Sequence, residues 1–202
     1  IICVNDPSIP IKHQFNEISN KKKFIGFADE LYRSQYDEPF ERLNMKSDKY
    51  FNAGVMLVDL FYWDKDNLTA KALQGIKNLE NRAKFWDQDI LNSIIDGNYL
   101  SLIPELNYRT SYLDRDTDMN KLIFIHYSGK SKPWDIGGII EEFSTEYQKY
   151  YKNLYDKEYH LVCRNRKNSI YRLFKNITKL YKVKNLSFYK YFFQAIVKIL
   201  KK

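Results

Sequence analysis

Three residues within one heptapeptide, His126, Gly129 and Lys132, are of types that together suit a metal-bound diphosphate. His126 offers a neutral imidazole nitrogen to a divalent ion. Gly129 lets backbone approach a ligand closely because it has no Cβ. Lys132 brings a mobile positive charge of the kind that neutralises phosphate oxygens. Pro133 and Trp134 stiffen the stretch and set a large ring beside it. The competing reading is a structural histidine with no ligand role.

Two further segments carry polar groups at places where an element begins. Asn52, Ala53 and Gly54 stand just ahead of an apolar run, so a sugar ring can approach an amide there. The plain alternative is a turn into a core strand. In Trp86-Asp87-Gln88-Asp89-Ile90-Leu91-Asn92 the spacing predicts a helix start, with Asp87 as N-cap and Ile90, Leu91 and Ile94 buried. Asp87 or Asp89 in that position also simply complements the helix dipole.

Elements of α/β type must position these groups. The apolar runs predict strands over 23–28, 55–60, 99–103 and 122–126, with helices over 67–81 and 87–96. Asn5-Asp6-Pro7 reads as a turn. Beyond Gly137-Gly138 the pattern turns helical, beginning with 139–155.

Tyr50-Phe51-Asn52-Ala53-Gly54, Asp87-Gln88-Asp89-Ile90-Leu91-Asn92 and His126-Tyr127-x-Gly129-x-x-Lys132-Pro133-Trp134 follow one another in an order that resembles glycosyltransferase family 8. Within that family the chain is similar to the bacterial lipopolysaccharide core glucosyl- and galactosyltransferases. Pro104-Glu105-Leu106-Asn107-Tyr108 matches the family's short loop before its last strand, and the basic, aromatic tail resembles the C-terminal region of the core-hexose enzymes. The resemblance implies the back part of a GT-A type nucleotide-diphospho-sugar transferase domain over 1–135, followed by a helical, basic C-terminal region over 136–202. It implies retaining transfer of glucose or galactose from a UDP-hexose to a lipopolysaccharide core acceptor. By the same resemblance His126 is a metal ligand, while Gly129 and Lys132 hold the diphosphate. Asn52, Ala53, Gly54 and Asp87 surround the donor sugar, with Asp87 and Gln88 as the catalytic pair and the Gln88 carbonyl facing the reacting carbon.

The implied cofactor is Mn²⁺, or Mg²⁺ in its place, completed in the family by an Asp-x-Asp pair at the end of an earlier strand. The chain lacks that pair in the expected place and opens on Ile1-Ile2-Cys3-Val4-Asn5-Asp6, which resembles the residues that directly follow it. The expectation is therefore an N-terminally truncated piece, inactive by itself, because one histidine and a lysine are too few ligands for an oxygen-preferring metal. The alternative within the same frame is a non-catalytic, sugar-binding remnant.

Composition is that of a globular domain: 202 residues, 44% hydrophobic and 29% charged. Cys3 and Cys163 are too few for a disulfide framework or zinc spacing and point to a reducing compartment. Charge is uneven. From Lys149 onward fifteen Lys and Arg stand against two acids, a local +13 in a chain of net charge +8, so residues 1–148 sum to −5.

The tail repeats one design. Ile170, Leu173, Phe174, Ile177, Leu180 and Tyr181 recur at helical spacing opposite Arg172, Lys175, Lys179 and Lys182. After Lys184-Asn185, Phe192, Phe193, Ile196, Ile199 and Leu200 form a second stripe, with Lys190, Lys198 and Lys201 opposite. Basic amphipathic helices with aromatic residues suit an anionic bilayer, so residues 164–202 are expected on the inner face of the cytoplasmic membrane, making a cytoplasmic, peripheral protein. The plainer reading is a helical hairpin with a solvated basic face. A pI near 9.2 also raises nucleic-acid binding. Lys-rich rather than Arg-rich basicity, and the lack of helix-turn-helix, RNP or zinc-finger patterns, argue against it, and no nucleic-acid partner is expected.

Overall fold

In the computed structural model the described residues are 1–31, 33–110, 118–129, 132–136, 143–163, 165–177 and 186–201. The chain forms two compact units: Cys3–Tyr108 with Asp118–Phe124, and Ile1–Ile2 with Arg109–Thr117 and Ile125–Lys202. The architecture is mixed α/β. Strands β1 (Ile2–Cys3), β6 (Phe124–His126) and β5 (Tyr108–Arg109) are hydrogen-bonded in that order.

In the first unit a three-stranded sheet has the order β3 (Phe51–Val58), β2 (Ile25–Asp29), β4 (Leu100–Ser101). β2 runs antiparallel to β3 and parallel to β4. Ile25, Gly26, Phe27 and Ala28 are all buried, as a central strand covered on both faces requires. Gly26 is where packing is tightest: a Cβ there would lie 2.7 Å from Leu102 Cδ2. Phe27 stacks on Phe51 with ring centroids 3.6 Å apart, and Tyr99 meets both edge-on.

The strand bounds differ from the sequence reading in informative ways. β3 begins at Phe51, so Asn52, Ala53 and Gly54 lie inside the strand rather than ahead of it. It ends at Val58 because the Asp59 carboxylate accepts the N–H groups of Phe61 and Tyr62 and caps helix α3 (Leu60–Lys65). The 99–103 and 122–126 runs contract to β4 and β6.

Helix α1 (Ser8–Asn20) follows the predicted turn, where Asp6 Oδ1 accepts from Ser8 N at 2.9 Å. Two other short helices, α2 (Glu38–Leu43) and α3, carry too few residues to show a period in sequence. The helix expected over 67–81 is α4 (Leu68–Leu79), continued as a 3₁₀ turn over Glu80–Arg82. It packs on α5 (Trp86–Ile95), where Gly75 leaves room for Ile90 and Ile94.

The second unit holds helices α6 (Ser144–Tyr155), α7 (Arg166–Ile177) and α8 (Leu186–Leu200). Its core is Ile136, Cys163, Leu173, Tyr191, Ala195 and Ile199. Gln148 Nε2 donates to Pro133 O at 3.2 Å and to Tyr191 OH at 3.1 Å, tying α6 and α8 to the segment after Lys132. The expected apolar stripes divide. Ile170, Leu173, Phe192, Ile196 and Ile199 pack in this core, whereas Phe174, Phe193 and Leu200 are exposed. Gly137, Gly138, Ile139, Lys179, Leu180, Tyr181, Lys182, Lys184 and Asn185 lie outside the described residues.

Candidate functional site

The site on the first unit starts from a break in the sheet. Ala28 pairs with Asn52 and Phe27 with Met56, so Ala53, Gly54 and Val55 bulge from β3 with no partner residue on β2. The bulge takes the backbone N–H groups of Ala53 and Gly54 out of the ladder. Side-chain amides collect them: Ala53 N donates to Gln88 Oε1 at 3.3 Å and Gly54 N to Asn52 Oδ1 at 3.0 Å.

Those two N–H groups fix how both amides point, because only the oxygens can accept. Asn52 Nδ2 then donates to Gln88 Oε1 at 3.0 Å, and Asn107 Nδ2 donates to Asn52 Oδ1 at 2.9 Å. Gln88 Nε2 faces the other way and donates to Tyr50 OH at 3.2 Å. The phenol O–H donates to Asp89 Oδ1 at 2.5 Å. Asn107, Asn52, Gln88, Tyr50 and Asp89 thus form one chain of hydrogen bonds running in a single direction, and such chains polarise cooperatively.

Helix α5 holds this chain in place through its polar inner face. Asn92, fully buried, accepts from Phe51 N at 2.9 Å and donates to Phe51 O at 3.0 Å, acting as a strand partner for the start of β3. Asp89 is also fully buried. Its Oδ2 accepts from Arg42 Nη1 at 2.7 Å and from the N–H groups of Lys84 and Phe85 at 2.7 and 2.9 Å. Burial pushes the Asp89 carboxyl up, but Arg42, Tyr50 and the Phe85 N–H together hold it below the usual carboxylate range. Burial and the neighbouring carboxylate push the Tyr50 phenol well up, so it keeps its proton and donates a hydrogen bond.

Each expected site residue on this unit has a definite place. Asn52, Ala53, Gly54 and Gln88 are brought together. The Gln88 carbonyl, expected to face the reacting carbon, is engaged twice within the protein, and one amide N–H of Gln88 remains beyond the bond to Tyr50. Asp87 is exposed and is not the N-cap; that position is Phe85, with no side-chain cap. Asp89 does the capping work from inside the helix by taking the N–H groups of Lys84 and Phe85. Beside Asp87, Trp86 stands 81% exposed with φ +43°, a left-handed backbone that bulky residues seldom adopt.

His126, Gly129 and Lys132 belong to the second unit and form their own group. His126 ends β6 half-buried, its carbonyl accepting from Thr110 N at 3.2 Å and Ser128 N at 2.8 Å. Burial first, then nearby positive charge including Arg109 and Lys132, push the imidazole down to about 4, so it is neutral at pH 7 and able to ligate. Gly129 has φ +79° with nothing within 4 Å of the place a Cβ would take. Lys132 is tethered: its Nζ donates to Tyr127 O at 2.6 Å. No group of three His, Cys, Asp or Glu able to hold a metal occurs among the described residues. His126 fits a divalent ion as one ligand, and the described residues do not complete a cation site.

Sequence reasoning missed Tyr50, Arg42, Asn92 and Asn107 as parts of the site. Gln88 and Asn92 at i,i+4, with Asp89 one position on, make a polar stripe where an apolar helix face is due. That was the available signal.

The sequence profile of Glycosyl transferase family 8 matches residues 12–136. A lipopolysaccharide 1,2-glucosyltransferase of Escherichia coli is 38% identical over 116 residues, which is 52% of this chain and 32% of that protein. A lipopolysaccharide 1,3-galactosyltransferase of Salmonella typhimurium is 31% identical over 97 residues, 44% of this chain and 29% of that protein. The crystal structure of the galactosyltransferase LgtC in complex with donor and acceptor sugar analogs aligns at 20% identity with a TM-score of 0.49, covering 72% of this chain and 55% of that one. The chain spans about a third of the length of the curated relatives it matches. With a profile match over more than half its residues and all three motifs in order, the chain belongs to glycosyl transferase family 8.

Proposed function

We propose that the protein takes part in retaining transfer of glucose or galactose from a UDP-hexose to a lipopolysaccharide core acceptor. The observation that carries this reading is the amide cluster at the β3 bulge, where the family's Asn52-Ala53-Gly54 and Gln88 meet in one hydrogen-bonded group. The names of the relatives from Escherichia coli and Salmonella support the class of acceptor and the two candidate sugars.

Breaking an anomeric C–O bond develops positive charge on the sugar and negative charge on the departing diphosphate. Fixed dipoles and charges aimed at those atoms lower the barrier without reorganising. Asn52, Ala53, Gly54 and Asp87 are assigned to the donor sugar, with Gly129 and Lys132 assigned to the diphosphate. Lys132 already sits with its ammonium on a carbonyl and can exchange that partner for phosphate oxygen. A Gln88 whose carbonyl is engaged is a poor covalent nucleophile, which supports same-face attack by the acceptor hydroxyl. Mn²⁺, or Mg²⁺, enters the proposal with His126 as one ligand and an Asp-x-Asp pair as the others. When bound it would stabilise the leaving diphosphate.

Association with an anionic membrane surface through 164–202 is part of the same proposal. Tyr189, Phe193, Val197 and Leu200 make an exposed apolar stripe along α8, and Lys190, Lys198 and Lys201 are exposed too. No helix among the described residues is long and apolar enough to cross a membrane.

The deciding experiment gives the intact protein UDP-glucose or UDP-galactose with truncated lipopolysaccharide cores and follows a gain of one hexose by mass. Transfer from one donor with retained anomeric configuration is the expected result. No transfer from either would overturn the reading. The metal assignment has its own readout, selective broadening of the His126 imidazole resonances by Mn²⁺.

A further inference from the structure

The geometry points to Asp89 as a positioning residue that enforces the direction of the Gln88 amide through Tyr50, from the side opposite the Ala53 N–H. The inference rests on the hexosyl-transfer reading above and concerns the same site. Asp89 is fully buried and saturated: Oδ2 takes three N–H donors, and Oδ1 takes the Tyr50 phenol and, at 3.5 Å, Arg42 Nη2. Sealed from solvent, it acts through its neighbours. What it contributes is polarity. A carboxylate accepts and never donates, so the Tyr50 proton must point at it. The phenol oxygen is thereby left as the acceptor for Gln88 Nε2, and the Gln88 carbonyl is turned toward Ala53 and Asn52. Asn52 is locked in turn by Gly54 and Asn107. The charge state of one carboxylate, which Arg42 keeps ionised, thus sets the Tyr50 proton and agrees in direction with the Ala53 and Gly54 N–H groups at the far end of the chain.

The isosteric change Asp89→Asn tests polarity without changing shape. The new amide must keep its oxygen where Oδ2 stands, because three donors converge there. Its NH₂ then faces the phenol. Two donors now meet Tyr50, whose proton loses its acceptor unless Gln88 turns over. If Gln88 turns, its NH₂ confronts the Ala53 and Asn52 donors. The conflict travels to the amides assigned to the donor sugar. Removing the hydroxyl with Tyr50→Phe relieves it, since Gln88 can then keep its native direction.

The experiment measures kcat and KM for hexose transfer by the intact protein, together with side-chain amide NOEs in the unmodified protein. Asp89→Asn should lower kcat on the order of 100-fold with KM moved less than about threefold, the scale of losing one preorganised polar group. Tyr50→Phe alone should cost about tenfold. The double variant should recover at least about tenfold over Asp89→Asn, a sign of coupling that a merely structural role does not produce. A folded double variant equal to or worse than Asp89→Asn would overturn the inference. Should Asp89→Asn not fold, the unmodified protein decides. Gln88 amide protons should show NOEs to the Tyr50 ring, and NOEs to the Ala53 N–H instead would overturn the assignment. An unmodified protein inactive with both UDP-hexoses would remove the transfer reading and Asp89's part in turnover with it. In that case the NOEs would still report the amide direction separately.

Discussion

Asn92 serves Phe51 as a strand serves its neighbour: one side-chain amide takes both the N–H and the C=O of that residue, at 2.9 and 3.0 Å. It also donates to Gln88 O at 2.8 Å, so β3 and α5 are joined where the candidate site begins. Truncation strands two buried backbone groups. Asn92→Ala should cost about 2–4 kcal/mol of stability, read from urea unfolding. A loss below about 0.5 kcal/mol would mean that the packing of α5 on β3 does not depend on this amide.

The His126 imidazole should remain neutral far below its ordinary range. Its folded value of about 4 lies under the unfolded value near 6.5, so the unfolded chain binds more protons between those limits. Stability contributed by this group is complete above about pH 6.5 and falls as pH drops toward 4. With the ring half-buried and partly screened by solvent, that contribution is about 2 kcal/mol. NMR titration of the ring checks it, and a midpoint near 6.5 would contradict the burial that defines the site.

Gly129 needs its residue type for backbone direction, not for room. With φ +79° and open space around the missing Cβ, Gly129→Ala should cost about 1–2 kcal/mol, while Gly129→Asn should cost less, since Asn tolerates that region. Equal stability of the two variants in thermal unfolding would argue that the loop simply relaxes. Gly26 is the opposite case. There a Cβ meets Leu102 Cδ2 at 2.7 Å, and Gly26→Ala should destabilise by about 1–3 kcal/mol through overpacking.

In the proposed membrane docking, Phe193 and Leu200, 63% and 67% exposed, are the residues that would enter the bilayer surface. Replacing both by Ser should weaken partition onto vesicles containing anionic lipid by at least about tenfold, with added salt lowering the rest. Unchanged sedimentation with vesicles would remove α8 from the docking surface.

How much of this was legible depended on whether a residue's role was local. The apolar runs that became β2 and β6, and the period behind α4 and α5, are properties of consecutive residues and could be read directly. Asn52 and Gln88 stood out as amides beside apolar elements. Tyr50 did not, being one of 17 tyrosines, and its role appears only when Asp89, 39 residues later, arrives beneath it. Arg42 lies on a six-residue helix too short to show a face. Asp87 was read as the cap because the sequence marks acids near a helix start without saying which one turns inward.

The bulge of Ala53, Gly54 and Val55 has one more consequence, for parity. Side chains on a strand alternate, so each odd insertion swaps which later residues face inward. Asn52 and Met56 are four apart and would share a face in a regular strand, yet Asn52 is 7% exposed and Met56 42%. The three unpaired residues perform that swap, delivering Leu57 to the core. The stretch that carries the polar groups of the site also sets which side of the following strand is oily.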